Sequence, residues 1–244
     1  MSTTRVALVT GGSRGIGAAI AEQLAADGID VAVTYARASE QAAETVRRIT
    51  AAGRRGMAVQ ADSADAEAVV AAVERTVAEL GRLDILVNNA GIFPMAPLDE
   101  VTVAEIDRTL AIHVRAVLVA AQAAARHMTA GGRIITIGSN LAERVPSPGL
   151  SLYAASKAAV LGLTRGLARD LGERGITAVV VSPGSTDTEM NPADGPHADG
   201  ERAAIALGRY NDPSDIAATV SHLAGPGGRH ITGTAITVDG GASA

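Results

Sequence analysis

Residues 5–17 read Arg5-Val6-Ala7-Leu8-Val9-Thr10-Gly11-Gly12-Ser13-Arg14-Gly15-Ile16-Gly17. An apolar run, Arg5–Thr10, passes through a glycine-rich turn into a helical pattern that begins at Ile16. Strand, glycine turn and helix in that order are the context a dinucleotide-binding turn requires. The glycines let the backbone turn tightly and approach a pyrophosphate. The helix N-terminus behind them offers free N–H groups and the positive end of its dipole. The spacing is G-x3-G-x-G rather than G-x-G-x2-G. Taken alone such a turn is a weak signal, and its bland counterpart is a strand–helix turn with no ligand.

The same alternation runs outward along the chain. Strands are predicted at Arg5–Thr10, Asp30–Tyr35, Gly56–Ala61, Asp84–Val87, Arg133–Gly138, Thr177–Ser182 and Ala235–Val238. Helices are predicted at Ile16–Asp27, Glu40–Ala52, Ala66–Leu80, Val103–Met128, Ser151–Glu173 and Ser214–Leu223. Continuous apolar strands such as VALVT and DILVN suit a parallel sheet buried on both faces. Strands alternating with helices imply right-handed βαβ units in a doubly wound α/β fold of Rossmann type. Asp212-Pro213 supplies an N-cap followed by proline at the first helical position. Gly28, Gly53 and Gly175 each follow a helical pattern, where a C-terminal glycine belongs. No linker or internal repeat divides the 244 residues, so a single domain over 1–244 is expected. The polar stretch Asn191–Gly208 fits neither period. A substrate loop or lid over about 186–210 is expected there.

Composition closes off several function classes. With one Phe, three Tyr and no Trp, the core must be aliphatic. A net charge of -5 leaves no basic excess to neutralise nucleic-acid phosphates. The absence of Cys rules out disulfides, thiolate catalysis and Cys-based zinc sites. His113, His127, His197, His222 and His230 show no ligand-like spacing, so no metal site is assigned. The N-terminal MSTTRVALVTGG lacks a basic flank followed by an apolar stretch, and no apolar run reaches membrane-helix length. A soluble, cytoplasmic protein with no membrane or nucleic-acid partner is expected.

An acidic residue about 20 positions past the glycines would grip the ribose 2′-hydroxyl of NAD. Thr34-Tyr35-Ala36-Arg37 holds no acid there. Arg14 and Arg37 can instead meet a 2′-phosphate, which favours NADP(H) over NAD(H); otherwise Arg37 is one more solvated arginine. Asp62, followed by Ser63, ends the third strand, and Asn88-Asn89-Ala90-Gly91 ends the fourth. Both lie at carboxyl ends, the side where an open α/β sheet binds ligands. Asp62 is placed to accept from an adenine amine. Asn88 and Asn89 can also tie strand ends together through backbone hydrogen bonds.

Tyr153 and Lys157 stand four apart in the helical run YAASKAAVLGL and share one face. An ammonium beside a phenol lowers its pKa, as a tyrosine general acid/base requires. Lys157 is the single lysine among 21 basic residues. Arginine serves everywhere else, so a role arginine cannot fill is expected at 157. Ser139 follows the strand RIITIG, where its hydroxyl can orient a substrate oxygen.

In these motifs the chain resembles the short-chain dehydrogenase/reductase family, in its roughly 250-residue, 3-oxoacyl-reductase-like branch. The resemblance spans the whole length. It rests on TGGSRGIG, on NNAG, on Ser139 with Tyr153 and Lys157, on Pro183-Gly184 and on the C-terminal ITGTAITVDGG. It implies a seven-stranded sheet in the order 3-2-1-4-5-6-7 and a homotetramer or homodimer. It implies that Tyr153 protonates a carbonyl oxygen as hydride arrives from the nicotinamide, or takes the proton in reverse. Lys157 would bind the nicotinamide ribose, and Ser139 would position the substrate. Gly11, Ser13, Arg14, Gly15, Ile16 and Gly17 would line the pyrophosphate and adenosine site, with Arg37 beside it. Asp62, Ser63, Asn89, Ala90 and Gly91 would contact adenine and ribose. Pro183, Gly184, Thr186 and Thr188 would hold the nicotinamide end. The partner would be a small carbonyl or alcohol substrate.

One position departs from the family pattern. The family carries Asn in the helix after NNAG, supporting a proton-relay water, and TLAIHVRAVLVA places His113 there. Either His113 holds the water and titrates near neutrality, or it is a core histidine with no kinetic role. A nucleotide-binding or sensor protein of weak activity on the same fold is the alternative function. NPADGP, from Asn191 to Pro196, resembles a reductase-like subgroup linked to cyclic-dinucleotide signalling.

Overall fold

The computed structural model describes residues 4–244. Residues 1–3, which open the N-terminal stretch considered above, lie outside the described residues. The apolar segment Val6–Val9 forms β1, and every side chain in it is buried. Helix α1 (Gly15–Ala26) follows the glycine turn, then β2 (Asp30–Tyr35), α2 (Ser39–Ala51), β3 (Gly56–Gln60), α3 (Ala66–Leu80) and β4 (Ile85–Asn88). After a 14-residue connection come α4 (Val103–Leu110) and α5 (Ala116–Ala125), then β5 (Arg133–Ile137), α6 (Ser151–Gly172) and β6 (Thr177–Pro183). The chain closes with α7 (Ala198–Ala204), α8 (Pro213–Ala224) and β7 (Thr234–Val238). The seven strands form one sheet in the order β3-β2-β1-β4-β5-β6-β7, and all neighbouring pairs are parallel. This is the order the family resemblance implies.

Helices cover both faces. One core layer packs Leu8, Leu86 and Ile134 against α3, α5 and α6. The other packs Val9, Val87 and Ile135 against α1 and α8 through Ile20, Leu24, Ile216 and Leu223. The strand order reverses between β1 and β4, so their carboxyl ends open a crevice there. Local signals agree with the sequence. Asp212 caps α8 in a capping box with Asp215. Gly28, Gly53 and Gly175 take left-handed φ values after their helices.

Two elements differ from expectation. The single helix predicted at Val103–Met128 is α4 and α5 separated by a π-helical turn, Ala111–Arg115. The α5 segment that follows the turn is apolar nearly all round, so its period carries no phase information that would expose an extra residue. The stretch Asn191–Gly208 is not wholly irregular, because Ala198–Ala204 within it is helical. Glu201 gathers several of the polar groups in and around it. Glu201 accepts from Asn191 (2.9 Å) and from the Tyr210 hydroxyl (2.8 Å). Burial and the Glu201 carboxylate push the Tyr210 phenol up to about 12. Among the described residues, no helix is long and apolar enough to cross a membrane.

Candidate active site

The glycine turn is built against β4. Gly11 takes φ +63°, open to glycine at little cost. A Cβ there would lie 2.9 Å from the Ala90 Cα. Thr10 Oγ1 accepts from the N–H groups of Asn89 (3.0 Å) and Ala90 (3.1 Å). Asn89 Nδ2 donates in return to the carbonyls of Thr10 and Gly11. The strand-tying role open to Asn89 is therefore present. Arg14 stands at the N-cap of α1 without a side-chain cap, and the first turn holds no acid. Free N–H groups and bare close-packed backbone are what a dinucleotide pyrophosphate requires, so this turn fits such a group.

The other nucleotide-end residues are distributed around it. Arg37 is exposed just past β2. Arg14 pairs with Glu189 across 2.6 Å, both largely exposed, so the guanidinium expected to meet a phosphate is tethered to the segment after β6. Asp62 accepts from the Ala64 N–H (2.9 Å) and lies 3.5 Å from Arg108. Ser63 lines a small gap with Thr10, Asn88, Ala90 and Ile112. Gly184 donates its N–H to Val238 (2.9 Å), and a Cβ at 184 would strike Asp239. Thr186 is buried and donates to the Gly184 carbonyl (2.9 Å). Thr188 reaches back to Gly15, where its Cγ2 would lie 3.3 Å from an added Cβ.

Ser139, Tyr153 and Lys157 converge at the ends of β5 and α6. Ser139 is buried, accepts from the Leu141 N–H (3.1 Å) and hydrogen-bonds the Tyr153 hydroxyl. The Phe93 ring meets Tyr153 edge-on, with centroids 4.7 Å apart. Lys157 reaches the end of β5 and donates to the Ile137 carbonyl (2.9 Å). Burial depresses its ammonium to about 8. The expectation that Lys157 lowers the phenol is corrected here. Its Nζ faces the Tyr153 ring at 5.8 Å, and burial raises the phenol, opposed by the Ser139 hydrogen bond.

His113 sits on the π turn and is buried. Its Nε2 accepts from the Ile92 N–H (3.0 Å) and its Nδ1 lies 2.8 Å from Ser156 Oγ. Burial, then the Lys157 charge, hold its pKa down at about 3. Titration near neutrality, one of the two readings of this residue, is thereby corrected: the ring stays neutral at working pH. Thr10, Thr34 and Ser156 escaped the sequence reading. Thr34 accepts from the Gly11 N–H (3.0 Å), and Ser156 donates to the Tyr153 carbonyl (2.7 Å). No spacing marks a serine or threonine as such a partner.

Known proteins agree with this geometry. The model of the family described as short chain dehydrogenase matches residues 5–199. A short chain dehydrogenase from Burkholderia cenocepacia J2315, solved in complex with NADP, is 61% identical and superposes with a TM-score of 0.97, covering 99% of this chain and 98% of that one. The cyclic-di-GMP-binding biofilm dispersal mediator protein of Escherichia coli (strain K12) is 45% identical over 238 residues, 98% of this chain and 97% of that protein. A 3-oxoacyl-[acyl-carrier-protein] reductase of Staphylococcus aureus is 41% identical over 244 residues, 99% of each chain. With its sheet order, its glycine turn and its serine, tyrosine and lysine at one strand end, this chain belongs to the short-chain dehydrogenase family of oxidoreductases.

Proposed function

We propose that this protein is an NADP(H)-dependent reductase that converts a ketone to a secondary alcohol, or runs the reverse reaction, with Tyr153 as general acid/base. The observation that carries this reading is the convergence of Ser139, Tyr153 and Lys157 beside Gly91, where an added Cβ would stand 3.7 Å from the Lys157 Nζ. The relative solved with NADP supports the choice of cofactor, as do Arg14 and Arg37. Bound NADP(H) would supply or accept the hydride. Gly11, Ser13, Gly15, Ile16 and Gly17 hold its pyrophosphate at the uncapped end of α1. Asp62, Ser63, Asn89, Ala90 and Gly91 flank the adenosine and ribose. Pro183, Gly184, Thr186 and Thr188 flank the nicotinamide end.

Tyr153 donates its phenolic proton to the carbonyl oxygen as that oxygen gains charge. Ser139, fixed by the Leu141 N–H, orients that oxygen. Lys157, whose Nζ stands at the end of β5 beside Gly91, would bind the nicotinamide ribose hydroxyls. Phe93, Met95, Val145 and Met190 are exposed apolar side chains on the segments that follow β4, β5 and β6, which suits a ketone with an aliphatic substituent. Candidate substrates are ketones, diketones and 3-oxoacyl thioesters. The segment 186–210 serves as the lid, and the cytoplasmic protein works as a homotetramer or homodimer through α4, α5, α6 and β7.

The test is NADPH and NADH oxidation with a panel of these three classes, with Tyr153→Phe as control. Turnover with NADPH that vanishes in the variant supports the reductase. The Escherichia coli relative favours one second reading, a nucleotide-binding sensor of weak activity. Tight NADPH binding, no turnover across the panel and unchanged behaviour of Tyr153→Phe would favour it.

A further inference from the structure

The π turn aims the His113 ring between two backbone segments that the proposed reaction needs in register. On one side Ile92 follows the Asn89-Ala90-Gly91 strand end and gives its N–H to Nε2 at 3.0 Å. On the other, Nδ1 meets Ser156 Oγ at 2.8 Å, and Ser156 passes its own proton to the Tyr153 carbonyl at 2.7 Å. The directions are mutually determined. A backbone N–H only donates, so Nε2 is the acceptor and the neutral ring carries its proton on Nδ1. Ser156 has one proton, already committed to Tyr153, so its oxygen accepts from Nδ1. Every donor in this buried chain therefore has one acceptor, and Ser156 itself is wholly buried.

We propose that His113 and Ser156 are positioning residues: a fixed Nδ1–H brace that locks the Tyr153 turn of α6 to the Ile92 backbone, rather than a proton relay. The proposal rests on the reductase reading for its kinetic consequence, while the brace itself can be tested without turnover.

The surroundings agree with a brace. Gly91 leaves room on the ring, where an added Cβ would sit 3.3 Å from Nε2. From α6, Lys157 is the charged group acting on the ring, and it opposes a second proton there. Tyr153 presents its ring edge-on, with centroids 5.8 Å apart. No carboxylate is among the groups that shift His113, and burial and the Lys157 charge both oppose the imidazolium. The wide π turn makes this reach possible, and such turns recur at functional sites.

The experiment is side-chain nitrogen NMR of the intact protein labelled at histidine, with NADPH present, over pH 5 to 9. His113→Gln identifies the resonance. The expected result is a protonated Nδ1 and a bare Nε2 that do not titrate in wild type, with the Nδ1 resonance shifted in Ser156→Ala as its proton loses its acceptor. A kinetic arm uses NADPH and the best ketone of the panel. Ser156→Ala should lower kcat about tenfold with KM and NADPH affinity nearly unchanged. His113→Phe should lower it at least tenfold further, and His113→Gln, which keeps one acceptor and one donor, should recover most of the loss. A His113 that becomes doubly protonated in that range, or carries its proton on Nε2, overturns the brace. So does Ser156→Ala with a wild-type Nδ1 shift and wild-type kcat. If no panel member turns over, the reductase reading fails while the tautomer result still decides the brace.

Discussion

Asn89 Nδ2 stands 3.0 Å from the Gly11 carbonyl oxygen, and this bond closes the glycine turn onto the end of β4. The amide occupies the space that any side chain at 17 would need. A Cβ on Gly17 would collide with Asn89 Nδ2 and with the same Gly11 oxygen. Gly17→Ala must therefore break the bond or move backbone. Overpacking of this kind costs about 1–3 kcal/mol. The expected outcome is a melting temperature lower by several degrees and NADPH affinity weakened at least tenfold, read by calorimetry and by cofactor fluorescence. Wild-type affinity in the variant would show that the turn does not hold the cofactor.

Arg14 and Arg37 carry the expected choice of NADP(H). Arg37→Ala should weaken NADPH about tenfold, the worth of one charge-assisted phosphate contact, and leave NADH nearly unchanged. Arg14 is at present paired with Glu189. Exposed pairs are worth about 0–1 kcal/mol. Glu189→Gln should therefore tighten NADPH by at most about fivefold. Titration calorimetry with both cofactors separates the two effects.

His113 ties stability to acid. Its folded pKa of about 3 lies below the 6.5 of the unfolded chain. Above pH 6.5 the ring is neutral in both states and the folded state pays no penalty. As pH falls from 6.5 toward 3 the unfolded state takes up a proton that the folded state refuses, and stability is lost. The full loss is at most about 5 kcal/mol. Denaturant unfolding across that window should show a smaller loss in His113→Gln than in wild type.

Lys157 acts in the opposite range. Burial depresses it to about 8 from 10.5, so below pH 8 the folded state carries the cost of a buried ammonium. From pH 8 to 10.5 the folded lysine is neutral while the unfolded one is still charged, and stability rises with pH. Lys157→Met should thus be more stable than wild type below pH 8, by up to about 3 kcal/mol, with the gap closing toward pH 10.5. In the reductive direction kcat should fall as pH rises through about 8, and His113 should contribute no limb between pH 5 and 8.

Much of this molecule is legible before folding. Val6–Val9, Ile85–Asn88 and Thr177–Pro183 are mostly apolar and buried throughout, and only a sheet covered on both faces buries such runs. The glycines of the first turn and the Tyr153–Lys157 spacing are likewise local, because φ preference and helical period act over a few residues. The lone lysine pointed to a special site, and it proves buried beside Tyr153.

What only the tertiary structure decided are relationships between distant residues. The sequence marks Tyr153 and Lys157 as neighbours, yet cannot say that burial raises the phenol, because desolvation depends on everything packed around it. Nor does it reveal the π turn within a helical pattern, or Ser156 standing between His113 and the Tyr153 carbonyl. Composition alone leaves His113 a group that titrates near neutrality. Burial, Lys157 and two hydrogen-bond partners from other parts of the chain make it a neutral one. Local pattern determines which elements form, and long-range packing sets the charge and direction of the groups they bring together.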